Sequence, residues 1–124
     1  MQYEKLYNEF KQLFPEDSDK LDKLAIEADA EAEDGMHVMF GMVVVPFVLD
    51  LLSRKEDEKL QTAFAFFEKM GKSNDSLISE VLEFSVLEDF VSQDEVVFNK
   101  LKTYMQPETK RSCASLEMYF NKVD

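Results

Sequence analysis

The feature that most constrains the fold is a segment, residues 36–52, that is apolar around nearly its whole circumference when it is drawn as a helix. Such a helix is normally surrounded by other helices and does not lie on a surface. Because polar and helix-breaking residues interrupt the segment, and because it is shorter than the ~20 apolar residues that cross a bilayer, we interpret it as a buried core helix. Pro46 predicts a kink or a restart near Val45, and a short strand over residues 43–45 is the alternative.

Amphipathic stripes at helical spacing occupy the rest of the chain and predict an all-α fold of about seven short helices. Only three Gly and three Pro are present among 124 residues, which disfavours folds that are rich in tight turns. The second predicted helix has an apolar stripe that consists mainly of Ala, and this helix extends to Gly35. The apolar positions of residues 77–91 are too many for one stripe, so this helix should bury two faces. The last helix should bury Cys113, Leu116, Phe120 and Val123.

Several residues mark expected helix ends. Pro15 should close the first helix and Gly71 should end the fourth in a left-handed conformation. The expected N-terminal signals are Asp17 or Ser18 for the second helix and Asn74 or Asp75 for the fifth. A capping box formed by Ser92 and Glu95 should start the sixth helix, and Pro107 should lie in the first turn of the last.

The chain length fits one domain, residues 1–124. Short helices joined by short polar links favour antiparallel neighbours. The architecture is therefore either a compact bundle or a stack of antiparallel helical hairpins of the HEAT or armadillo kind.

The charge of the chain is strongly negative, -12 in total, and unevenly distributed. Residues 1–35 hold 11 acids and four bases, and residues 73–99 hold seven acids and no base. Such a field repels nucleic-acid phosphates and attracts cationic surfaces. A strip of one sign opposes the compact state by self-repulsion, so its presence indicates a basic partner that it steers and docks.

The sequence carries few of the residues on which catalysis depends. His37 is the only histidine, and no glycine-rich phosphate loop, C-x-x-C or H-E-x-x-H motif is present. We interpret His37 as a structural residue hydrogen-bonded to a helix end, with a ligand role as the alternative. The carboxylates of Glu80, Glu83 and Glu88 have helical spacing that could hold a metal, but coincidence among 26 acids is the simpler explanation. We therefore expect no enzyme activity, no catalytic residue, no metal and no cofactor.

The single cysteine, Cys113, cannot form an internal disulfide and agrees with a reducing compartment. The first 14 residues mix charged and apolar side chains and do not resemble a secretory leader. We expect a cytoplasmic protein that does not insert into a membrane.

Three runs of residues carry a family resemblance: MHVMFGMVVVPF at 36–47, FAFFEKM at 64–70 and EVLEFSVLE at 80–88. Together they resemble small bacterial immunity proteins that are encoded beside polymorphic or contact-dependent growth-inhibition toxins, with an overlap over residues 36–120. The resemblance implies an all-helical protein that neutralises a cognate toxin domain in a one-to-one complex as a monomer. An RNA-cleaving nuclease of the EndoU type is one such toxin, and an acidic inhibitor could cover its cationic active site.

The resemblance and the negative charge together predict that the acids form the contact surface for the basic toxin domain. The first candidate set is Glu80, Glu83, Glu88, Asp89, Asp94 and Glu95, and the second is Asp29, Glu31, Glu33 and Asp34. Two other classes stay open: a helical adaptor that binds its partner through an apolar groove, and an enzyme with a carboxylate-bound metal.

Overall fold

The computed structural model describes residues 1–120, and the expected Val123 contact lies outside this range. The all-α prediction is confirmed. Within residues 1–120 there are seven helices and no strand, so the strand alternative at residues 43–45 is wrong. The helices are α1 (Leu6–Gln12), α2 (Ser18–Glu27), α3 (Met36–Ser53), α4 (Asp57–Gly71), α5 (76–91), α6 (Glu95–Tyr104) and α7 (Pro107–Tyr119). Single 3-10 turns occupy Tyr3–Lys5, Pro15–Asp17 and Ala32–Asp34.

Helices α3 and α4 form the centre of the fold. Helix α3 packs against α1, α2, α4 and α5, and α4 packs against α3, α5, α6 and α7. In a linear solenoid each repeat contacts only its neighbours. Contact between α4 and α7, which are three helices apart in sequence, is instead typical of a compact bundle.

Phenylalanine rings fill the space between the helices. Phe10 of α1 is fully buried, and its ring lies within 6.2 Å, centroid to centroid, of the rings of Phe14, Phe40, Phe47, Phe66 and Phe67. Rings at these separations contribute stabilisation beyond the area that they bury. One continuous apolar cluster therefore joins α1 to the two central helices.

Helix α3 changes its winding before Pro46. Residues Phe40–Val44 form a π-helical turn, and regular α-helix resumes at Val45, whose N–H donates to the carbonyl of Phe40. Proline cannot donate a backbone hydrogen bond, and a wider turn before it accommodates the missing bond and the bulk of the ring. The discontinuity predicted near Val45 is present as this π turn.

By length and composition alone α3 could cross a membrane. Half of its residues are buried inside the fold, however, as in the core helix of a soluble protein. The surrounding helices thus account for its apolar character.

The prediction that the second helix extends to Gly35 is wrong, because α2 ends at Glu27. Asp29 adopts a left-handed conformation (φ 54°), and the N–H of Ala30 donates to the carbonyl of Ala25. This is the Schellman arrangement, and Asp is one of the few residues that tolerate its left-handed position. The narrow Ala stripe buried too little surface to hold residues 28–35 in the helix.

Two of the expected N-terminal signals are confirmed. The Asp75 carboxylate accepts the N–H of Leu77 and caps α5, and Pro107 occupies the first turn of α7. The predicted capping box at Ser92 is wrong: Asp94 caps α6 by accepting the N–H of Val97, while the Ser92 hydroxyl donates to the carbonyl of Asp89. An ionised carboxylate next to the helix outcompetes a more distant hydroxyl for these N–H groups.

The roles expected for Gly71 and Asp17 are also corrected. Gly71 does not have a positive φ. A Cβ there would lie 3.3 Å from Leu82 and 3.4 Å from Glu108, so glycine permits close packing against α5 and α7. Asp17 precedes α2, but its carboxylate accepts from the Lys59 ammonium at 2.8 Å and does not cap the helix.

A buried carboxylate joins α4 to the start of α7. Glu68 is 3% exposed, and its two oxygens accept the N–H groups of Glu108 and Thr109 and the Thr109 hydroxyl, each at 2.9 Å. The first N–H groups of a helix have no partner within the helix. Glu68 supplies that partner from 40 residues away in sequence, and no local pattern predicted it.

Candidate partner-binding site

Irregular helix geometry occurs where α3 meets α5. Helix α5 also contains a π-helical segment, Leu82–Leu87, and it packs against the π turn of α3. Gly41 lies at this contact, where an added Cβ would come within 3.6 Å of the Ser85 carbonyl oxygen. Such π segments often accompany functional sites because they turn side chains away from the regular helical faces.

His37 lies beside this contact. Its ring Nδ1 is 2.6 Å from the Ser85 hydroxyl oxygen, and the imidazole is exposed. The expectation that a helix end binds His37 is therefore wrong, because the partner is a side chain of the neighbouring helix. The hydrogen bond links the two π-containing helices across their contact.

An open cleft of about 570 Å³ lies along the junction of these helices. We call it the α3–α5 cleft, and its lining residues are Gly41, Met42, Phe84, Ser85, Glu88, Asp89, Ser92 and Phe120. Three of its apolar side chains are exposed to a large extent: Met42 by 48%, Phe84 by 55% and Phe120 by 41%. Large apolar side chains that share one exposed surface are typical of interaction sites.

The exposure of Phe84 and Phe120 corrects the sequence analysis, which assigned both to buried stripes. The π segment of α5 changes the angular position of the residues that follow Leu82, and Phe84 is turned outward. The sequence contains a signal for this exposed surface, because residues 77–91 hold more apolar positions than one buried face needs.

Of the first set of predicted contact acids, Glu88 and Asp89 line the cleft, where both are half-buried. The N–H of Glu88 donates to the carbonyl of Glu83, so the half-buried Glu83 lies one π turn before it. Glu80 is exposed on the same helix but does not line the cleft. Asp94 and Glu95 lie outside it as well, at the start of α6.

The acids of residues 73–99 share a property that sequence could not reveal. Within the part of the chain that the structure describes, none of them forms an ion pair with Lys or Arg; they are Asp75, Glu80, Glu83, Glu88, Asp89, Asp94 and Glu95. Acids elsewhere do pair, as Asp22 does with Lys11 and Asp50 with Lys20 and Arg54. Residues 73–99 therefore carry seven acids without a basic partner among residues 1–120.

The second set of predicted acids is placed on the loop between α2 and α3. Asp29, Glu31, Glu33 and Asp34 are all exposed, and none has a Lys or Arg partner among residues 1–120. Two of them have local structural roles, because Glu31 and Asp34 form a capping box around the short 3-10 turn. Within residues 1–120, Ile26 is the one large exposed apolar side chain close in sequence to these acids.

Potentially reactive side chains meet beside the cleft at the hydrogen bond between His37 and Ser85. Among residues 1–120 no three His, Cys, Asp or Glu side chains are grouped so that they could hold a metal. Nucleophilic catalysis by Ser85 would need N–H donors for an oxyanion, but the amides around Ser85 belong to a helix in which they already donate.

The thiol of Cys113 is buried and lies 3.7 Å from a Glu117 carboxylate oxygen. Burial, reinforced by the negative charge of Glu117, raises its pKa to about 12. This agrees with the interpretation of Cys113 as a small buried hydrophobe.

The fold and the cleft define a class of molecule: a small all-helical protein with an exposed apolar and acidic surface between two π-containing helices. The chain belongs to the family described as a domain of unknown function, DUF7674, which matches residues 7–121. No curated protein and no solved structure matches the sequence.

Proposed function

We propose that this chain is a non-catalytic inhibitor of the immunity-protein class, which binds a basic toxin domain through the α3–α5 cleft and the acids beside it. One observation carries the proposal: Glu88 and Asp89, which have no basic partner within residues 1–120, line the same cleft as the exposed Met42, Phe84 and Phe120. Interfaces typically combine an apolar centre with polar groups that select the partner.

The acids would act first on the rate of encounter. A negative surface raises the rate at which a cationic domain associates and favours one orientation of approach. After encounter, Phe84 and Met42 would supply apolar contact, and the carboxylates would occupy positions that substrate phosphates take in an RNA-cleaving nuclease of the EndoU type. Binding would be one-to-one, in the cytoplasm, with the inhibitor as a monomer.

Co-expression with the basic domain encoded by the adjacent upstream gene tests this function. We expect cells that express this domain to survive only when the chain is present. The purified pair should form a one-to-one complex by calorimetry. Growth arrest despite expression of the folded chain would contradict the proposal.

Charge reversal tests the surface. The double variant Glu88→Lys, Asp89→Lys should lower the association rate by about tenfold at low salt. The matched variant Asp29→Lys, Glu33→Lys adds the same charge on the second candidate surface and should change the rate much less. If the two variants have equal effects, the cleft is not the contact surface.

An apolar adaptor is the second candidate function, and the exposure of Phe84 and Phe120 favours it. Its association would depend little on salt, whereas the rate for an electrostatically steered inhibitor falls steeply as salt rises. Stopped-flow measurements at low and high NaCl therefore distinguish the two. Metal analysis of the purified protein addresses the third possibility, a carboxylate-bound metal enzyme.

A further inference from the structure

A second concave surface lies between the C-terminal half of α3 and α6, and it shares no lining residue with the α3–α5 cleft. Its volume is about 470 Å³, within the range of roughly 300 to 1,000 Å³ that small-molecule sites occupy. We call it the α3–α6 groove. Its apolar lining is formed by Leu49, Leu52, Val97 and Tyr104.

These four side chains are held in place by the core. Each is partly buried and packs against the central apolar cluster, and each also lines the groove. The Tyr104 hydroxyl donates to Asp57, and this hydrogen bond raises the pKa of the phenol. Tyr104 therefore stays neutral, and the groove has a preformed apolar lining.

The charge of the groove is opposite to that of the molecule. Lys55 and Lys100 line it, both are exposed, and neither has a carboxylate partner among residues 1–120. The one acid in the lining, Asp57, already accepts from Tyr104. In a chain of net charge -12, two unpaired lysines beside an apolar surface complement a ligand that has an apolar body and an anionic head.

The backbone at Lys55 supports a role for its side chain. Lys55 has φ 58° in the left-handed position of a Schellman motif that ends α3, where the N–H of Glu56 donates to Leu51 and that of Lys55 to Leu52. Glycine is the residue that this position favours, since a Cβ is strained there. The chain carries a lysine at this position and so places an ammonium group at the groove.

We propose that the α3–α6 groove binds a small amphiphilic carboxylate, with its alkyl or aryl body against Leu49, Leu52, Val97 and Tyr104 and its carboxylate between Lys55 and Lys100. This proposal does not rest on the proposed inhibitor function, because the groove and the α3–α5 cleft share no lining residue.

Titration of the 15N-labelled protein with decanoate below its micelle concentration tests the proposal. Amide shifts should concentrate on residues 49–57 and 93–104, and saturate. The uncharged 1-decanol should bind at least about fivefold more weakly, and the cationic decyltrimethylammonium more weakly still. Equal binding of decanol and decanoate, or shifts spread over the whole surface, would overturn it.

Four variants separate the effects of charge, groove shape and backbone strain. Lys100→Gln should weaken decanoate binding about threefold to tenfold, whereas Lys110→Gln, which removes the same charge from α7 outside the groove, should not. Thr103→Trp should block the groove. Lys55→Gly should raise the melting temperature by relieving the left-handed strain and yet weaken binding. If Lys55→Gly binds decanoate as the native chain does, or if Lys110→Gln weakens binding as much as Lys100→Gln, the site is not the one proposed.

Discussion

At the scale of single residues, Glu68 is the most deeply buried charged residue within residues 1–120. Its carboxylate is almost fully buried and accepts three hydrogen bonds at the start of α7. A neutral amide of the same shape would direct its NH2 group at one of these donors, which leaves an N–H without an acceptor.

We therefore predict that Glu68→Gln lowers the free energy of unfolding by about 1 to 3 kcal/mol, measured by urea denaturation. The control is Lys72→Gln. Lys72 is exposed and its ammonium lies 3.9 Å from Glu68, so its loss should cost under about 1 kcal/mol. Equal effects of the two variants would mean that the buried hydrogen bonds do not stabilise the junction.

Cys113 gives a prediction about reactivity. The nucleophile in thiol alkylation is the thiolate, and a pKa of about 12 leaves very little of it at pH 8. Iodoacetamide should modify the native chain orders of magnitude more slowly than the chain unfolded in urea, as followed by mass spectrometry. Similar rates in the two states would contradict the buried position of the thiol.

Asp50 connects α3 to α2 through Lys20 and to the end of its own helix through Arg54. Desolvation disfavours its charged form, but the hydrogen bonds from Lys20 and Arg54 outweigh this effect and hold its pKa below the ordinary 3.8. A carboxylate with a lowered pKa in the native state stabilises the fold above its unfolded pKa, and this stabilisation disappears as pH falls through the native value.

Asp50→Asn should therefore have a lower melting temperature than the native chain at pH 7, and this difference should shrink below about pH 4. The difference should be small because the ion pairs are partly exposed to water. Differential scanning calorimetry of the two proteins at pH 7 and below about pH 4 measures this difference in melting temperature. A difference that grows as pH falls would have the wrong sign for this explanation.

At the scale of the helices, a glycine before α3 and a glycine within α3 have different reasons to be glycine. Gly35 precedes the helix with φ 100° and ψ 166°, a conformation that is nearly restricted to glycine. Gly41 lies within the helix, and an added Cβ there would meet only ordinary van der Waals distances, 3.6 Å to the Ser85 oxygen.

We predict that Gly35→Ala destabilises the protein by about 1 to 3 kcal/mol through backbone strain. Gly41→Ala should be neutral or stabilising by up to about 1 kcal/mol, because alanine favours a helix more than glycine does. Urea denaturation of the two variants measures both changes in the free energy of unfolding. A larger loss for Gly41→Ala would show that the two π segments approach more closely than the structure indicates.

At the scale of the whole molecule, the net charge of -12 should oppose folding by self-repulsion. The acids of residues 73–99 contribute to this repulsion without a basic partner among residues 1–120. Salt screens exposed charges over about 10 Å at 0.1 M, so added NaCl should raise the melting temperature. A melting temperature that falls between 20 mM and 500 mM NaCl would instead mean that the surface ion pairs stabilise the protein more than the repulsion destabilises it.

Much of the fold could be predicted because its causes are local in sequence. The spacing of apolar residues determines which segments become helices, and Asp75 and Pro107 act on N–H groups only a few residues away. The errors arose where two local signals competed. Ser92 and Asp94 both suit the start of α6, and the Ala stripe of α2 could not hold its last turns against a left-handed Asp29.

The candidate sites depend on which helices meet, and this only the tertiary structure decided. The sequence alone determined an all-helical, acidic chain with one apolar central helix, because these properties are set by composition and by a period of 3.6 residues. The contact of the two π segments, the exposure of Phe84 and Phe120, and the unpaired acids beside them follow from long-range packing. The Glu68 hydrogen bonds and the apolar lining of the α3–α6 groove also follow from long-range packing, because each joins residues about 40 or more positions apart.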